Sequence, residues 1–302
     1  MPNRSDSAGK LHQFYTSRHL KNIFPDSHYF SPLNNLDQHF VHSIQFTPIE
    51  IKSLEKIGRF SANIINDEIN EPLVKIEDIG VSSGAIGFQN TDDIIVTSKS
   101  NERFAFSLKC AKNLSQILSK NMGARSLLLN YFKAPKEQKE FNENMDLAYL
   151  EFLNSILKTR LSSISLAKKY INDHAIENGL TKPRFSDSIY PLANTYRNNF
   201  LNTLRENLFI NLSTISKGQI ATASNFILDS GKNHIYASYE RNKEKAIYYS
   251  ISKKNESDIL DIIKRGNDSV SIILKDYSVG FRFKFESGIT SSIKLVGDYK
   301  KS

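Results

Sequence analysis

Asp92-Asp93-Ile94-Ile95-Val96 and Phe104-Ala105-Phe106-Ser107-Leu108-Lys109 decide the fold of this chain. The first stretch reads as an acid pair running into a buried strand. Thr97 to Arg103 reads as a polar turn, and the second stretch as the partner strand. Strand residues alternate between two faces, so Phe104, Phe106 and Leu108 share one face while Ala105, Ser107 and Lys109 share the other. An ammonium at the end of so apolar a strand needs a partner, because desolvating it alone is costly. A carboxylate opposite, from Asp93, would supply one.

Working outward, Thr47-Pro48-Ile49-Glu50 reads as a capping box with Pro at the first helical position. Ile51, Leu54, Ile57, Ile64 and Ile65 continue it as a helical stripe. Pro72 stops that helix, and Leu73-Val74-Lys75-Ile76 begins extended structure. Val81 to Asn90, with two glycines, should turn before the hairpin. From about Lys136 to Leu212 the pattern is helical, with Leu147, Leu150, Leu153, Ile156 and Leu157 as one stripe and Leu201, Leu204 and Leu208 as another. Beyond Ile220, short β segments dominate: His234–Tyr239, Ala246–Ile251, Val270–Leu274 and Phe281–Phe285. A helical turn is expected over Ile259–Lys264. The expected division is a polar N-terminal segment (1–45), a core (46–135), a helical region (136–215) and a β-rich C-terminal region (216–302).

Composition narrows the class. The 302 residues are globular in balance, and 40 Lys plus Arg against 32 Asp plus Glu give a net charge of +8. A basic protein favours polyanions, since each neutralised phosphate releases counterions. The single cysteine, Cys110, excludes an internal disulfide framework and a multi-cysteine zinc site. With no apolar leader in Met1–Lys10 and no run long enough to cross a bilayer, the expectation is a cytoplasmic protein. His12, His19, His28, His39 and His42 crowd the N-terminal segment without a metal-ligand spacing, and read as packing or surface residues.

The hairpin has two of the parts that phosphodiester hydrolysis needs, an acid and a lysine. A divalent metal neutralises the scissile phosphate and activates water, carboxylates hold that metal, and a lysine sits by the attacking water. Asp93 and Lys109 occupy the acid and lysine slots of a D…(D/E)-x-K pattern. Ser107 stands where the second carboxylate belongs, so another acid should complete the site. Asp92, Glu68, Glu71 and Glu77 are the candidates, and Glu71 is favoured, at the end of the helix that should pack on the hairpin. Lys112, Lys120 and Arg125, interleaved with Asn113, Gln116 and Asn121, are candidate DNA contacts. In Phe281–Glu286 the three Phe share a core face, and Arg282, Lys284 and Glu286 form a face read as solvated.

The stretch Arg59 to Arg125 resembles the restriction endonucleases of the HaeIII type. The likeness lies in Asn70-Glu71-Pro72-Leu73, Ile76-Glu77-Asp78, Asp93-Ile94-Ile95-Val96 and the strand closing on Ser107-Leu108-Lys109. That group is also similar in having Ser in the carboxylate slot. Gly280–Phe285 with Ser291–Leu295 resembles its terminal β segment. The resemblance implies an α/β fold with a PD-(D/E)xK restriction-endonuclease-like core and helical and β-rich elaborations. It also implies a magnesium-dependent type II enzyme cutting duplex DNA at a short specific site, as a homodimer. Two alternatives stay open: a basic DNA-binding protein without catalysis, such as a decayed nuclease, and a purely structural interaction protein.

Overall fold

A computed structural model describes residues 4–31, 39, 41–78, 93–112 and 120–301. The chain divides into two units, each discontinuous in sequence: 1–117 with 229–252, and 118–228 with 253–302. Among the described residues, no helix is long and apolar enough to cross a membrane.

The first unit is built on a six-stranded mixed sheet. Its strands are β1 (His28–Phe30), β2 (Leu73–Asp78), β3 (Ile94–Ser98), β4 (Arg103–Ala111), β6 (Asn233–Ser238) and β7 (Lys245–Ser250), in that spatial order. β2, β3 and β4 pair antiparallel with one another, as do β6 and β7; β1 lies parallel to β2, and β6 parallel to β4. A parallel neighbour needs a long crossover, and here that crossover is most of the second unit. Strands expected in the C-terminal β-rich region, 233–238 and 245–250, therefore belong to this first sheet.

Two helices, α1 (Arg4–Ile23) and α2 (Pro48–Ile69), pack together and on the sheet. α2 starts as its sequence says: the Thr47 side chain accepts from the Glu50 backbone and Glu50 reaches back to Thr47, a capping box with Pro48 beside it. Such a cap is worth about 1 kcal/mol. The helix ends at Asn70 in the left-handed conformation, φ 52°, ahead of Pro72. The apolar face of the hairpin, Phe106 and Leu108, joins Ile94, Val96, Ile76 and Ile235 and the helical Ala62, Ile65 and Leu20 in one buried cluster. α1 and α2 approach closely at Gly58, where an added Cβ would lie 2.5 Å from Tyr15 Cβ.

α1 lies in the N-terminal segment whose sequence is polar. Its buried face holds Ser7, Gln13, Thr16 and Ser17 beside Ala8, Leu11 and Leu20. Small and polar residues on the inner face blur the apolar stripe that normally betrays a helix.

In the second unit, β5 (Lys120–Asn121), β11 (Ile293–Lys301), β10 (Tyr277–Phe285), β9 (Ser269–Leu274) and β8 (Ile259–Arg265) form an antiparallel sheet in that order. Its helices are α3 (Leu127–Asn130), α4 (Pro135–Leu157), α5 (Ile164–Glu177), α6 (Ala193–Thr214) and α7 (Lys217–Ile227). Phe281, Phe283 and Phe285 turn inward, their rings 6.1, 5.9 and 5.3 Å from those of Phe132, Phe141 and Phe152. Arg282 and Lys284 alternate outward and are exposed. The helical turn expected over Ile259–Lys264 is instead strand β8, preceded by a single 3-10 turn at Glu256–Asp258. A register irregularity between Ile259 and Asp261 breaks strict alternation, which leaves Ile259, Ile262 and Ile263 at a helix-like spacing.

Candidate active site

β3 and β4 pair with Ile94 opposite Phe106 and Val96 opposite Phe104. Asp93 stands just before β3, and its N–H donates to the Phe106 carbonyl at 2.9 Å. That bond sets the carboxylate against the next turn of β4. The Leu108 N–H donates to Asp93 Oδ2 at 2.7 Å, and the Ser107 hydroxyl donates to the same oxygen at 3.4 Å. Ser107 is 0% exposed, so its hydroxyl serves Asp93 from within the sheet. Lys109, two residues on, shares the Ser107 face by alternation and lies opposite Tyr236 of β6. Burial pushes the Asp93 carboxyl above its ordinary range. The Lys109 charge, the Leu108 N–H, the Lys10 charge and the Ser107 hydroxyl pull against that rise. The site thus holds a desolvated carboxylate within the field of two lysines.

The second side of the site comes from α1. Lys10, Gln13 and Ser17 fall at i, i+3 and i+7, on one helical face. The Gln13 amide Nε2 donates to Asp78 Oδ1 at 2.6 Å and to the Asp93 carbonyl at 2.8 Å. Asp78 is the last residue of β2, opposite Ile94. Its other oxygen, Oδ2, accepts from Ser17 Oγ at 3.2 Å and from Tyr29 OH at 3.3 Å. Burial raises the Asp78 carboxyl too, opposed by Ser17, Tyr29, Lys10 and Gln13. Lys10 Nζ donates to Gln13 Oε1 at 3.4 Å.

The structure thus gathers Asp93, Ser107 and Lys109. It does not bring Glu71 to them. Glu71 accepts from the Ser100 N–H and hydroxyl at 3.1 and 3.0 Å, which hold its carboxyl below the usual range. It precedes β2 at the Leu73 end, whereas Asp78 and Asp93 sit at the other. The strand between spans roughly 17 Å at about 3.3 Å per residue, too far for a shared cation. The helix ends at its Asn70 cap, one residue before Glu71, and so delivers that acid to the other end of the sheet. Glu77 is in ion pairs with Lys75 at 2.9 Å and Arg103 at 3.8 Å. Asp92 lies outside the described residues, as do the turn at Val81–Asn90 and the amides Asn113 and Gln116.

The three candidate DNA contacts do not form one cluster within a unit. Lys112 is exposed at the end of β4 in the first unit. Lys120 lies in β5 and Arg125 just beyond it, both in the second unit. Arg125 is in an ion pair with Asp146. Of the N-terminal histidines, His39 and His42 contact different residues of α1: His39 Nε2 is 2.8 Å from Tyr15 OH, and His42 Nδ1 is 3.0 Å from Ser7 Oγ.

Gln13, Lys10 and Asp78 are the site residues that sequence reasoning missed. A signal existed for Asp78: it continues the Ile76 phase of β2, so an acid falls where an apolar residue is due. Gln13 and Lys10 gave none, being far away in sequence on a helix that was itself unrecognised.

Among the described residues, no three His, Cys, Asp or Glu side chains converge as a ready-made metal cage. The donor chemistry nevertheless suits magnesium, which takes one or two carboxylates and completes its shell with water and substrate phosphate. Asp93 is the carboxylate that fits, since it is partly exposed and its oxygen Oδ1 is not in the hydrogen bonds that seat Oδ2.

No family model matches the chain, and no solved structure does. Among curated proteins, it is similar to the type II restriction enzyme BsuRI of Bacillus subtilis, 28% identical over 212 residues. That match covers 68% of this chain and 36% of the length of BsuRI, so the chain spans little more than a third of that relative.

Proposed function

We propose that this chain is a site-specific deoxyribonuclease of the type II restriction class, hydrolysing phosphodiester bonds in duplex DNA. The observation that carries the reading is the Asp93 carboxylate, fixed on the Leu108 N–H beside Ser107 and within the field of Lys109. The similarity to a type II restriction enzyme points the same way. We read the site as a PD-(D/E)xK centre of the HaeIII type, with Ser107 in the carboxylate slot. The succession of helix, three antiparallel strands and a fourth strand parallel to the third agrees with such a core.

In this reading Asp93 holds Mg2+, which when bound neutralises the scissile phosphate and lowers the pKa of a water. The Lys109 field and the Leu108 N–H favour the charged form of Asp93 against the burial that opposes it. Ser107 holds the carboxylate's orientation from behind. Lys109 orients the attacking water and stabilises negative charge growing on the phosphate. The basic balance of the chain draws the polyanion in. A homodimer in the cytoplasm, with Lys112, Lys120 and Arg125 among the DNA contacts, completes the proposal.

Incubating the purified protein with plasmid and phage DNA in magnesium, then sequencing the ends, tests this. Cleavage at discrete sites is expected. Intact DNA from diverse sources, in both magnesium and manganese, would sink it. One observation favours a second reading, a DNA-binding protein without catalysis: the described residues place no second free carboxylate beside Asp93. Salt-sensitive DNA binding without cleavage would select that reading.

A further inference from the structure

We infer that Gln13 and Asp78 are positioning residues, a relay from α1 that fixes the main chain of Asp93 and so aims its carboxylate. The inference rests on the nuclease reading and adds to it a contribution from outside the hairpin. A primary amide offers two N–H bonds about 120° apart. Gln13 directs one to Asp78 Oδ1 at 2.6 Å and one to the Asp93 carbonyl at 2.8 Å. Gln13 and Asp78 are each only 4% exposed. A buried amide and a buried carboxylate are tolerated when their hydrogen-bonding groups are met, and here they meet one another. Asp78 in turn is held by Ser17 and Tyr29 on its second oxygen.

The distribution of donors separates the two aspartates. Both oxygens of Asp78 are occupied by protein donors, and the residue is closed to solvent, so it is poorly placed to take a cation or a phosphate. Asp93 has its N–H on Phe106, its carbonyl on Gln13 and one carboxylate oxygen on Leu108. Its backbone is therefore pinned on both sides of the Cα, and the direction of its side chain follows. Misplacing a reacting group by about 1 Å can cost on the order of a hundredfold in rate.

The test uses the full chain, with cleavage kinetics, DNA affinity measured without magnesium, the magnesium concentration giving half the maximal rate, and melting temperature. Gln13→Leu and Asp78→Ala should each lower kcat by roughly tenfold or more, with DNA affinity little changed. The double variant should fall no further than either single one, because both act through one relay. Asp78→Asn should keep kcat within a few-fold, since its amide can still accept from Gln13, and should leave the magnesium requirement unmoved. Should Gln13→Leu fail to fold, Gln13→Asn, polar but too short to span both acceptors, replaces it with the same expectation. Wild-type kcat in a folded Gln13 variant overturns the relay. So does a loss of cleavage in Asp78→Asn with a raised magnesium requirement, which would make Asp78 a ligand. Those results leave the nuclease reading standing, whereas a wild-type protein that cuts nothing overturns both.

Discussion

Mild acid should loosen α1, and His12 sets the scale. Its ring is 0% exposed, and Nε2 lies 2.8 Å from Ser61 Oγ on α2. Nδ1 is buried and has no hydrogen-bond partner among the described residues. A bare acceptor is cheaper to bury than an unmet N–H, so the neutral tautomer with the proton on Nε2 fits best. Burial lowers the pKa from 6.5 to about 3. The unfolded chain therefore binds a proton that the folded one refuses. The stability this neutral ring contributes is fully present above 6.5 and is lost as pH falls towards about 3. At about 1.4 kcal/mol per unit, lowering pH from about 7 to about 5 should cost about 2 kcal/mol. Asp78 and Asp93, whose pKa values are raised, act in the opposite sense. The informative quantity is thus the difference between wild type and His12→Leu, followed by urea unfolding and far-UV circular dichroism. That difference should shrink by about 2 kcal/mol in favour of the variant as pH falls. Parallel pH dependences in the two proteins would show that His12 is not the neutral buried group described above.

Lys109→Ala should lose cleavage by about a hundredfold or more while DNA affinity and melting temperature hold, because its interactions grow in the transition state; near wild-type cutting in kinetic assays would remove Lys109 from the chemistry. Magnesium should raise the melting temperature more as pH rises, because a metal ligand must be deprotonated and the Asp93 carboxyl holds its proton above the ordinary range. Without metal that carboxyl favours folding at low pH and ceases to as pH rises through its elevated value. Calorimetry should find the magnesium effect absent in Asp93→Asn, and an equal effect in that variant would place the ion elsewhere. DNA affinity should fall at least about tenfold between roughly 50 and 200 mM salt, and a flat response in fluorescence anisotropy would argue that phosphates are not the main contact.

The legible parts of this molecule were those in which one local rule applied. Thr47 to Glu50 announced a helix start because a cap is four consecutive residues. The faces of Phe104–Lys109 followed from alternation alone, whereas the approach of Ser107 to Asp93 depends on the register of β3 against β4, which alternation does not give. Where burial selected polar residues, the signal vanished. Ser7, Gln13, Thr16 and Ser17 disguise α1, and with α1 went Gln13 and Lys10. Asp78 was passed over for Glu71 because position in sequence does not say which end of a strand faces the chemistry. β8 was misread because its irregular register places Ile259, Ile262 and Ile263 as a helix would.

The parallel pairing of β4 with β6 has a consequence for how the protein is made. β4 ends at Ala111 and β6 begins at Asn233, so a ribosome must synthesise the whole helical insert before the site-bearing strand gains its second neighbour. The chain then returns to the second unit at Lys253, so neither unit corresponds to a contiguous stretch of message. Pairings this distant in sequence are slow to find. The hairpin with Asp93 and Lys109 waits meanwhile with one edge unpaired, and such an edge invites association with other nascent chains. Slow refolding, sensitive to protein concentration, is the signature expected of this chain path.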